Sequence, residues 1–363
     1  MTHHEIASVL ASSGIVPSSA SPLSSISPAG KAAVPAKGFP KKSPADSLRA
    51  VRILAQPRWE LGVMLSHPWT EEPKWMYMAE EDSNTAIAWI KEGGADVSQD
   101  LTLLTVDDVT KRMGACLGLD APCESGMLRL KLSMAGFAAF LAAIDGVRRA
   151  ALMSLLDHVL PPPEIRLSLS DVGSHFAKTL AAGDHRWLSS LTARLCPWDI
   201  PTSPAELQAG MQELVSAKLL EPSSPQVWRP APGFLLVCDT LSSPLASACL
   251  SHHDLLKPGS SADHLIGLRG LGALWLLEFS EKGGHGTEVK LRDVSGAEME
   301  LALDLRLQKK IRPAPPSTTV PPKSSPARTA AAAESSAAAC PSCRSPLKPG
   351  ARFCTRCGAA INR

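Results

Sequence analysis

The sequence lacks an apolar stretch of the roughly 20 residues that a membrane-spanning helix needs. The nearest candidate runs from Met134 to Ile144 and is ended by the charged Asp145. The amino terminus has two histidines and a glutamate among its first five residues. It therefore does not show the basic start and apolar core of a signal peptide. These absences lead us to expect a soluble protein.

Catalytic signatures are absent as well. The chain contains no Gly-x-Ser-x-Gly elbow, no P-loop and no His-Glu-x-x-His motif. Gly267 to Gly272 reverses the glycine spacing of a dinucleotide-binding loop and leads into a strand-like run. His252-His253-Asp254 is the one tight His/Asp group, and it is either a metal site or a solvated helix end. We expect a protein without catalytic activity.

The charge of the chain is unevenly distributed. Of 37 basic and 35 acidic residues, 12 basic and three acidic residues lie in segments 1–47 and 312–363. The body between these segments keeps 25 basic and 32 acidic residues, a net charge of −7. An acidic body argues against a core that binds nucleic acid.

The last two dozen residues carry the most specific chemistry of the chain. Two Cys-x-x-Cys pairs, Cys340 with Cys343 and Cys354 with Cys357, are separated by ten residues. Each pair can point two thiolates at one metal, and two pairs complete a closed tetrahedral site suited to Zn²⁺. So short a segment buries too little surface to fold without the metal. A redox dithiol or two disulfides are the alternatives.

Segment 340–361 resembles the short zinc ribbons at the ends of many bacterial and archaeal proteins. It begins C-P-x-C, continues through a glycine-containing spacer and ends F-C-x-x-C-G. The residues that carry the resemblance are Cys340, Pro341, Cys343, Gly350, Phe353, Cys354, Cys357 and Gly358. The resemblance implies that Cys340, Cys343, Cys354 and Cys357 bind one structural Zn²⁺. It implies no catalysis and leaves the role of the whole protein undetermined.

The other five cysteines are scattered along the chain. They are Cys116, Cys123, Cys196, Cys238 and Cys249. Together with a metal-bound set of four, this usage favours a reducing compartment, so we expect a cytoplasmic protein. Cys116 and Cys123 are not at zinc spacing, and we interpret them as small core residues.

Two stretches have the composition of disordered chain. Residues 1–47 form a Ser/Ala/Pro-rich tail, whose first ten residues are either a short docking helix or a frayed terminus. Residues 312–339 are Pro-rich and then Ala-rich, and as a flexible coil they would span roughly 30 Å. The ribbon, residues 340–363, is therefore predicted to move independently of the body.

Strand-like runs followed by a helix occur twice, over residues 48–124 and 236–311. In the first lobe, Thr105 and Asp108 form a capping box that begins a helix. In the second lobe, short strands separated by glycines precede Ser295. The stretch after Ser295 is either a helix or, because apolar residues alternate from Met299 to Leu307, a further strand. The two lobes are predicted to be an internal repeat.

The centre, residues 125–235, is predicted to be helical. Two helices are expected on either side of Asp145-Gly146, and Ser203-Pro204-Ala205-Glu206 begins a later one. The order of helices, turn and strand over about 165–235 resembles a winged helix. A DNA-reading unit would carry basic residues on its third helix, where this chain has Glu206 and Glu213. We therefore expect this unit to bind protein.

Half of the tryptophans lie close together in the first lobe. Trp59, Trp69, Trp75 and Trp89 form either a ligand cage or the core of a small sheet. The sequence does not decide between these interpretations.

The overall prediction is an α+β protein: two small strand-helix lobes around a helical, winged-helix-like centre, with a tethered C-terminal zinc ribbon. Its predicted function is that of a non-catalytic intracellular zinc-binding adaptor or scaffold that mediates protein-protein interactions. The alternative is a transcription-associated nucleic-acid-binding factor that uses the basic ribbon. A third possibility, from another class, is an enzyme with an unrecognised pocket near Trp59–Trp89.

Overall fold

The computed structural model describes residues 3–19, 21, 23–24, 44–57, 59–67, 70–79, 86–90, 102–123, 125–158, 164–255, 263–282 and 286–311. The chain divides into two compact units, Met1–Ala314 and Pro315–Arg363, and every described residue belongs to the first. Helices and strands both contribute to this unit, which confirms the predicted α+β class. The predicted linker and ribbon lie outside the described residues.

The strands in the described part are β1 (Trp59–His67), β2 (Thr70–Ala79), β3 (Ala86–Ile90), β4 (Thr102–Leu104), β5 (Arg129–Ser133), β6 (Leu167–Ser168), β7 (Leu220–Ser224), β8 (Val227–Pro230), β9 (Ala246–Asp254), β10 (Asp263–Arg269), β11 (Leu274–Lys282) and β12 (Gly286–Asp293). The helices there are α1 (His3–Ser13), α2 (Pro44–Ala55), α3 (Val106–Leu117), α4 (Met134–Leu156), α5 (Leu169–Ala182), α6 (Leu188–Leu195), α7 (Pro204–Ser216), α8 (Pro232–Leu241) and α9 (Gly296–Ile311).

Nine strands form one antiparallel sheet in the order β4-β3-β2-β1-β9-β10-β11-β12-β5. The two segments predicted to be separate lobes share this sheet, because β1 pairs with β9 and places Val63 opposite Leu250. The order helix, four strands, helix occurs twice, from α2 to α3 and from α8 to α9. The boundaries at 48–124, 125–235 and 236–311 stay predictions.

One face of the sheet is covered by α3 and α9. Met113 of α3 and Leu303 of α9 are fully buried against sheet residues that include Leu250. The two helices are also joined by a hydrogen bond, in which Thr110 Oγ1 donates to Asp304 Oδ1 at 2.9 Å. This packing accounts for the apolar stripe of each helix.

The opposite face is covered by two groups of helices. Leu103 and Leu104 are neighbours on β4, so they point to opposite faces. Leu104 packs with α3 and α9, whereas Leu103 packs with α1 and α2. At the other end of the sheet, the Phe137 ring of α4 meets the Phe279 ring of β11 edge-on, with centroids 5.7 Å apart. The helical centre therefore lies on the same face as α1 and α2.

The helix α3 begins at the capping box that was predicted from the sequence. Thr105 Oγ1 accepts from the Asp108 amide, and the Asp108 carboxylate accepts from the Thr105 amide at 2.8 Å. These hydrogen bonds lower the pKa of Asp108. The helix ends at Gly118, whose φ of 61° is the left-handed conformation that glycine adopts without strain.

The segment after Ser295 is a helix, so the alternative of a final strand is wrong. Met299, Leu303 and Leu307 recur every four residues and are buried against the sheet. Leu301 and Leu305, which produced the alternating pattern, point outward and are more than half exposed. The Ser295–Glu298 capping box begins this helix, and in it Glu298 accepts from the Ser295 amide at 2.9 Å.

The amino-terminal tail also differs from the prediction of disorder over residues 1–47. Ile6 and Leu10 of α1 are buried against Val51 and Leu54 of α2. Ser21 fixes the connection by donating from Oγ to the Leu54 carbonyl at 2.6 Å. The apolar residues of α1 find their partners on α2, which the composition of the intervening segment could not reveal.

The two helices predicted around Asp145-Gly146 are one continuous helix, α4. The helix continues through Gly146, whose missing side chain leaves room for Leu167, since a Cβ there would lie 3.0 Å from Leu167 Cδ2. Charged residues break the apolar run of α4. Among the described residues no helix has the length and apolar character of a membrane span.

Candidate functional site

The surface that the sequence analysis singled out is α7 with the hairpin that follows it. Ser203 caps α7 by accepting from the Glu206 amide at 3.3 Å, and Pro204 occupies the first helical turn. Leu207, Met211 and Leu214 are buried. The helix therefore packs one stripe against the body and leaves the opposite side for contacts.

The packing of α7 on α4 is unusually close. A Cβ on Gly210 would lie 2.1 Å from the Ala135 carbonyl oxygen and 2.7 Å from Ala139 Cβ. Only a residue without a side chain permits this crossing. The position of α7, and with it the outward face, is set by this contact.

Glu213 is half-buried and bound to the start of α4. Its carboxylate accepts from the Ser133 amide at 2.9 Å and from Ser133 Oγ at 2.6 Å. Glu213 follows Glu206 by seven residues and so lies on the same side of α7, but its carboxylate is engaged by Ser133 and does not face a partner as the sequence predicted. The negative charge of Glu213 lies at the amino terminus of α4, where it stabilises that helix.

The outward face of α7 is polar and carries one acidic group. Glu206, Gln208, Gln212 and Ser216 are exposed along it. Lys218 follows the helix with a φ of 61° and is also exposed. This face offers amide and hydroxyl groups that donate and accept hydrogen bonds.

The hairpin β7–β8 is extended by β6 to a three-stranded sheet in the order β6-β8-β7. Arg229 of β8 donates to Glu164 at 3.0 Å and to Glu221 at 3.3 Å. Arg166 donates to the same Glu164 at 2.9 Å, and both arginines lower the pKa of Glu164. Arg229 and Arg166, which directly precedes β6, are therefore engaged by carboxylates.

A buried carboxylate of α4 holds the start of α6. Asp145 is fully buried and accepts from the Leu188 amide at 3.1 Å, from the Ser189 amide at 3.0 Å and from Ser189 Oγ. It supplies the capping bonds that the residue before α6, Trp187, does not make. Burial raises the pKa of Asp145 against the effect of these bonds.

The sequence left two interpretations of the His252-His253-Asp254 group open, a metal site or a solvated helix end. The group lies at the end of strand β9, so a helix end is wrong. His252 is buried beside Leu61, Leu265 and Arg306, on the face covered by α9. Because neighbouring strand residues point to opposite faces, His253 cannot join it on one ion. Within the described ranges, no three His, Cys, Asp or Glu residues are grouped as metal ligands.

Cys249 and His264 form a buried pair that was not predicted from the sequence. Cys249 Sγ lies 3.5 Å from His264 Nε2, and the imidazole packs against Trp198 and Phe279. Burial lowers the pKa of His264 to about 4 and raises that of the Cys249 thiol. Both groups are neutral near pH 7, so the pair is built for packing and not for nucleophilic attack.

Two further predictions concerned Cys116 and Cys123 as core residues and the four tryptophans as a ligand cage or a sheet core. Cys116 and Cys123 are half-buried, and their thiols donate to the carbonyls of Ser247 and Val294. In the backbone, β3 places Trp89 opposite Met76 and Trp75 opposite Ile90. The side chains of Trp59, Trp69, Trp75 and Trp89 lie outside the described part of the structure, and so do Cys340, Cys343, Cys354 and Cys357.

Comparison with known families decides the identity of the carboxy-terminal segment. The family model of the zinc-ribbon domain matches residues 340–361. This segment is a zinc-ribbon domain. It contains the four predicted ligands, and four thiolates are a donor set that Zn²⁺ favours. The match implies zinc binding, while the assignment of each ligand and the count of one zinc stay predictions.

The zinc-ribbon match does not extend to the body. No curated protein matches the chain. A solved structure with a similar chain is that of the Mycobacterium tuberculosis type VII secretion system chaperone EspG5 in complex with the PE25–PPE41 dimer. The similarity covers 72% of this chain and 77% of that chain, at 10% sequence identity and a TM-score of 0.34. At that TM-score the likeness says nothing about function.

Proposed function

We propose that the chain is a non-catalytic, zinc-binding adaptor that binds protein through its body and uses the tethered ribbon as a second docking point. The outward face of α7 is the observation that carries this proposal. α5, α6, α7 and the β7–β8 hairpin follow one another as in a winged helix. In such a unit α7 is the helix that meets the partner.

The charge of this unit favours a protein partner over a nucleic acid. Binding to a phosphate backbone needs unpaired lysines or arginines. Arg166 and Arg229 are engaged by Glu164, and α7 presents Glu206 with Gln208 and Gln212. Polar, mostly uncharged side chains of this kind are common at the rims of protein interfaces.

The cysteines support a cytoplasmic location. Cys116, Cys123, Cys196, Cys238 and Cys249 are all free thiols. Free thiols persist in a reducing compartment, where a zinc-thiolate site is also stable. The same compartment gives the ribbon access to cytoplasmic partners.

The ribbon contributes a different kind of contact. Residues 340–363 contain five basic and no acidic residues. Electrostatics alone would give it weak, salt-sensitive affinity for nucleic acid. We therefore assign the specific contact to the body and a supporting contact to the ribbon.

Site-specific photo-crosslinking tests the assignment to α7. A crosslinking amino acid is placed at Gln212 in the full chain, and a control chain carries it at Lys290, an exposed position on β12. We expect covalent protein adducts from position 212 that position 290 does not give. Adducts to nucleic acid from position 212, or the same adducts from both positions, would contradict the proposal.

A further inference from the structure

The second half of α4 leaves the core of the body. Residues 136–145 of this helix are buried, whereas its last turns expose four large apolar side chains. Leu152 and Met153 are 41% and 46% exposed, and Leu155 and Leu156 are 65% and 71% exposed. Ala150, Ala151 and Ser154, on the other side of the helix, are half-buried. The exposed residues therefore belong to one face.

The geometry of a helix makes this face continuous. At about 100° per residue, Arg149, Leu152, Met153 and Leu156 form one stripe, with Leu155 at its border. Arg149 lies at one end of the stripe and Asp157 just beyond the other, and both are exposed. Neither has an ion-pair partner among the described residues. We call residues 149–157 the α4 tip.

We propose that the α4 tip pairs with the α4 tip of a second copy of this chain, antiparallel and about a two-fold axis between Leu152 and Met153. The sequence of the stripe is complementary to itself in this arrangement. Leu152 of each copy meets Met153 of the other, and the alkyl stem of Arg149 lies along Leu156. The guanidinium of Arg149 then reaches Asp157 of the second copy, so two ion pairs form.

The helix dipole favours the antiparallel direction as well. A helix carries a partial negative charge at its carboxy terminus. The antiparallel pair sets each of these ends, together with Asp157, beside Arg149 of the other copy. A parallel pair would bring the two negative ends and the two aspartates together. Charge thus selects one orientation, which apolar contact alone would not do.

The size of the α4 tip sets the strength of the dimer. A face of about two and a half turns of helix buries much less than the roughly 1,200–2,000 Å² of a stable interface. The dimer is therefore weak and depends on concentration. Self-pairing would give the adaptor two α7 faces and two ribbons, although the inference does not depend on the proposed function.

Sedimentation velocity of the full chain over a range of concentrations tests the proposal. We expect a reversible dimer that Leu156→Glu abolishes. Leu305→Glu is the matched control, because Leu305 is 57% exposed on α9. This control should leave the dimer unchanged, and circular dichroism should show that both variants are folded. A chain that stays monomeric up to about 1 mM overturns the proposal, as does a dimer that Leu156→Glu leaves intact.

A charge exchange tests the orientation separately. Arg149→Asp or Asp157→Arg alone should weaken the dimer by about tenfold, since each variant turns two attractions into repulsions. The double variant restores the opposite charges and should restore most of the affinity. A double variant as weak as the two single ones would overturn the antiparallel arrangement.

Discussion

Replacing Gly210 by alanine should reverse the usual effect of this substitution. In an unobstructed helix, alanine in place of glycine adds about 1 kcal/mol of stability. At position 210 the new Cβ would lie 2.1 Å from the Ala135 carbonyl oxygen and 2.7 Å from Ala139 Cβ. The obstructing oxygen belongs to the backbone of α4, so the two helices must move apart.

The magnitude follows from the cost of overpacking, about 1–3 kcal/mol when extra carbon is forced into a packed core. We expect the free energy of unfolding to fall by about this amount, because the backbone carbonyl leaves no side-chain rotation to relieve the contact. Urea unfolding followed by circular dichroism measures it. In a heating experiment, each kcal/mol corresponds to about 1.5–2 °C for a unit as large as Met1–Ala314.

Gly173 provides the matched control on α5. A Cβ there would lie 3.5 Å from Leu207 Cδ1, an ordinary van der Waals contact. Gly173→Ala should therefore raise the free energy of unfolding by up to about 1 kcal/mol. The reasoning is refuted if Gly210→Ala is as stable as the parent chain, or if both variants change stability in the same direction.

Three further predictions concern His264, Asp145 and the ribbon. The pKa of His264 is lowered to about 4 from 6.5, so the unfolded chain takes up a proton that the folded chain refuses as the pH falls. Between pH 7 and pH 5 this proton uptake should lower the free energy of unfolding by about 2 kcal/mol. His264→Gln should lose this contribution to the pH dependence. If urea unfolding shows the same fall between the two pH values for His264→Gln as for the parent chain, the prediction is wrong. Asp145→Asn places an NH₂ group against one of the two amides from which the carboxylate accepts, so urea unfolding should show a loss of about 2–4 kcal/mol. Asp157→Asn, at the exposed end of the same helix, should change stability by less than about 0.5 kcal/mol, and equal effects would count against the cap. Purified protein should contain one equivalent of zinc by elemental analysis, and Cys340→Ser should abolish tight binding; metal-free protein with four unreacted thiols in the ribbon would exclude the site.

Local signals predicted the elements whose ends are defined by neighbouring residues. The capping box of Thr105 and Asp108 begins α3, and Ser203 with Pro204 begins α7, as expected. The strand run at 264–269 forms β10, in which Leu265, Ile266 and Leu268 are followed by a turn at Gly270. In each case the residues that determine the element are close together in the sequence.

The features that could not be predicted from the sequence depend on contacts between distant segments. The sequence does not show that α1 packs on α2, nor that Glu213 is engaged by Ser133, 80 residues away. The alternating residues from Met299 to Leu307 fit either period, and burial against the sheet selects the helix. The Cys249–His264 pair is also invisible beforehand, because strand register alone brings the two together.

Affinity purification of the full chain beside a chain that ends at residue 314, where the first compact unit ends, tests the adaptor proposal most directly. Each sample is divided, and one half is treated with nuclease. The proposal predicts that the same partner protein is retained by both chains, survives nuclease and is bound more weakly without the ribbon. Loss of every partner after nuclease would contradict it, and so would tight binding of the shorter chain to one duplex sequence that Gln208→Ala or Gln212→Ala weakens.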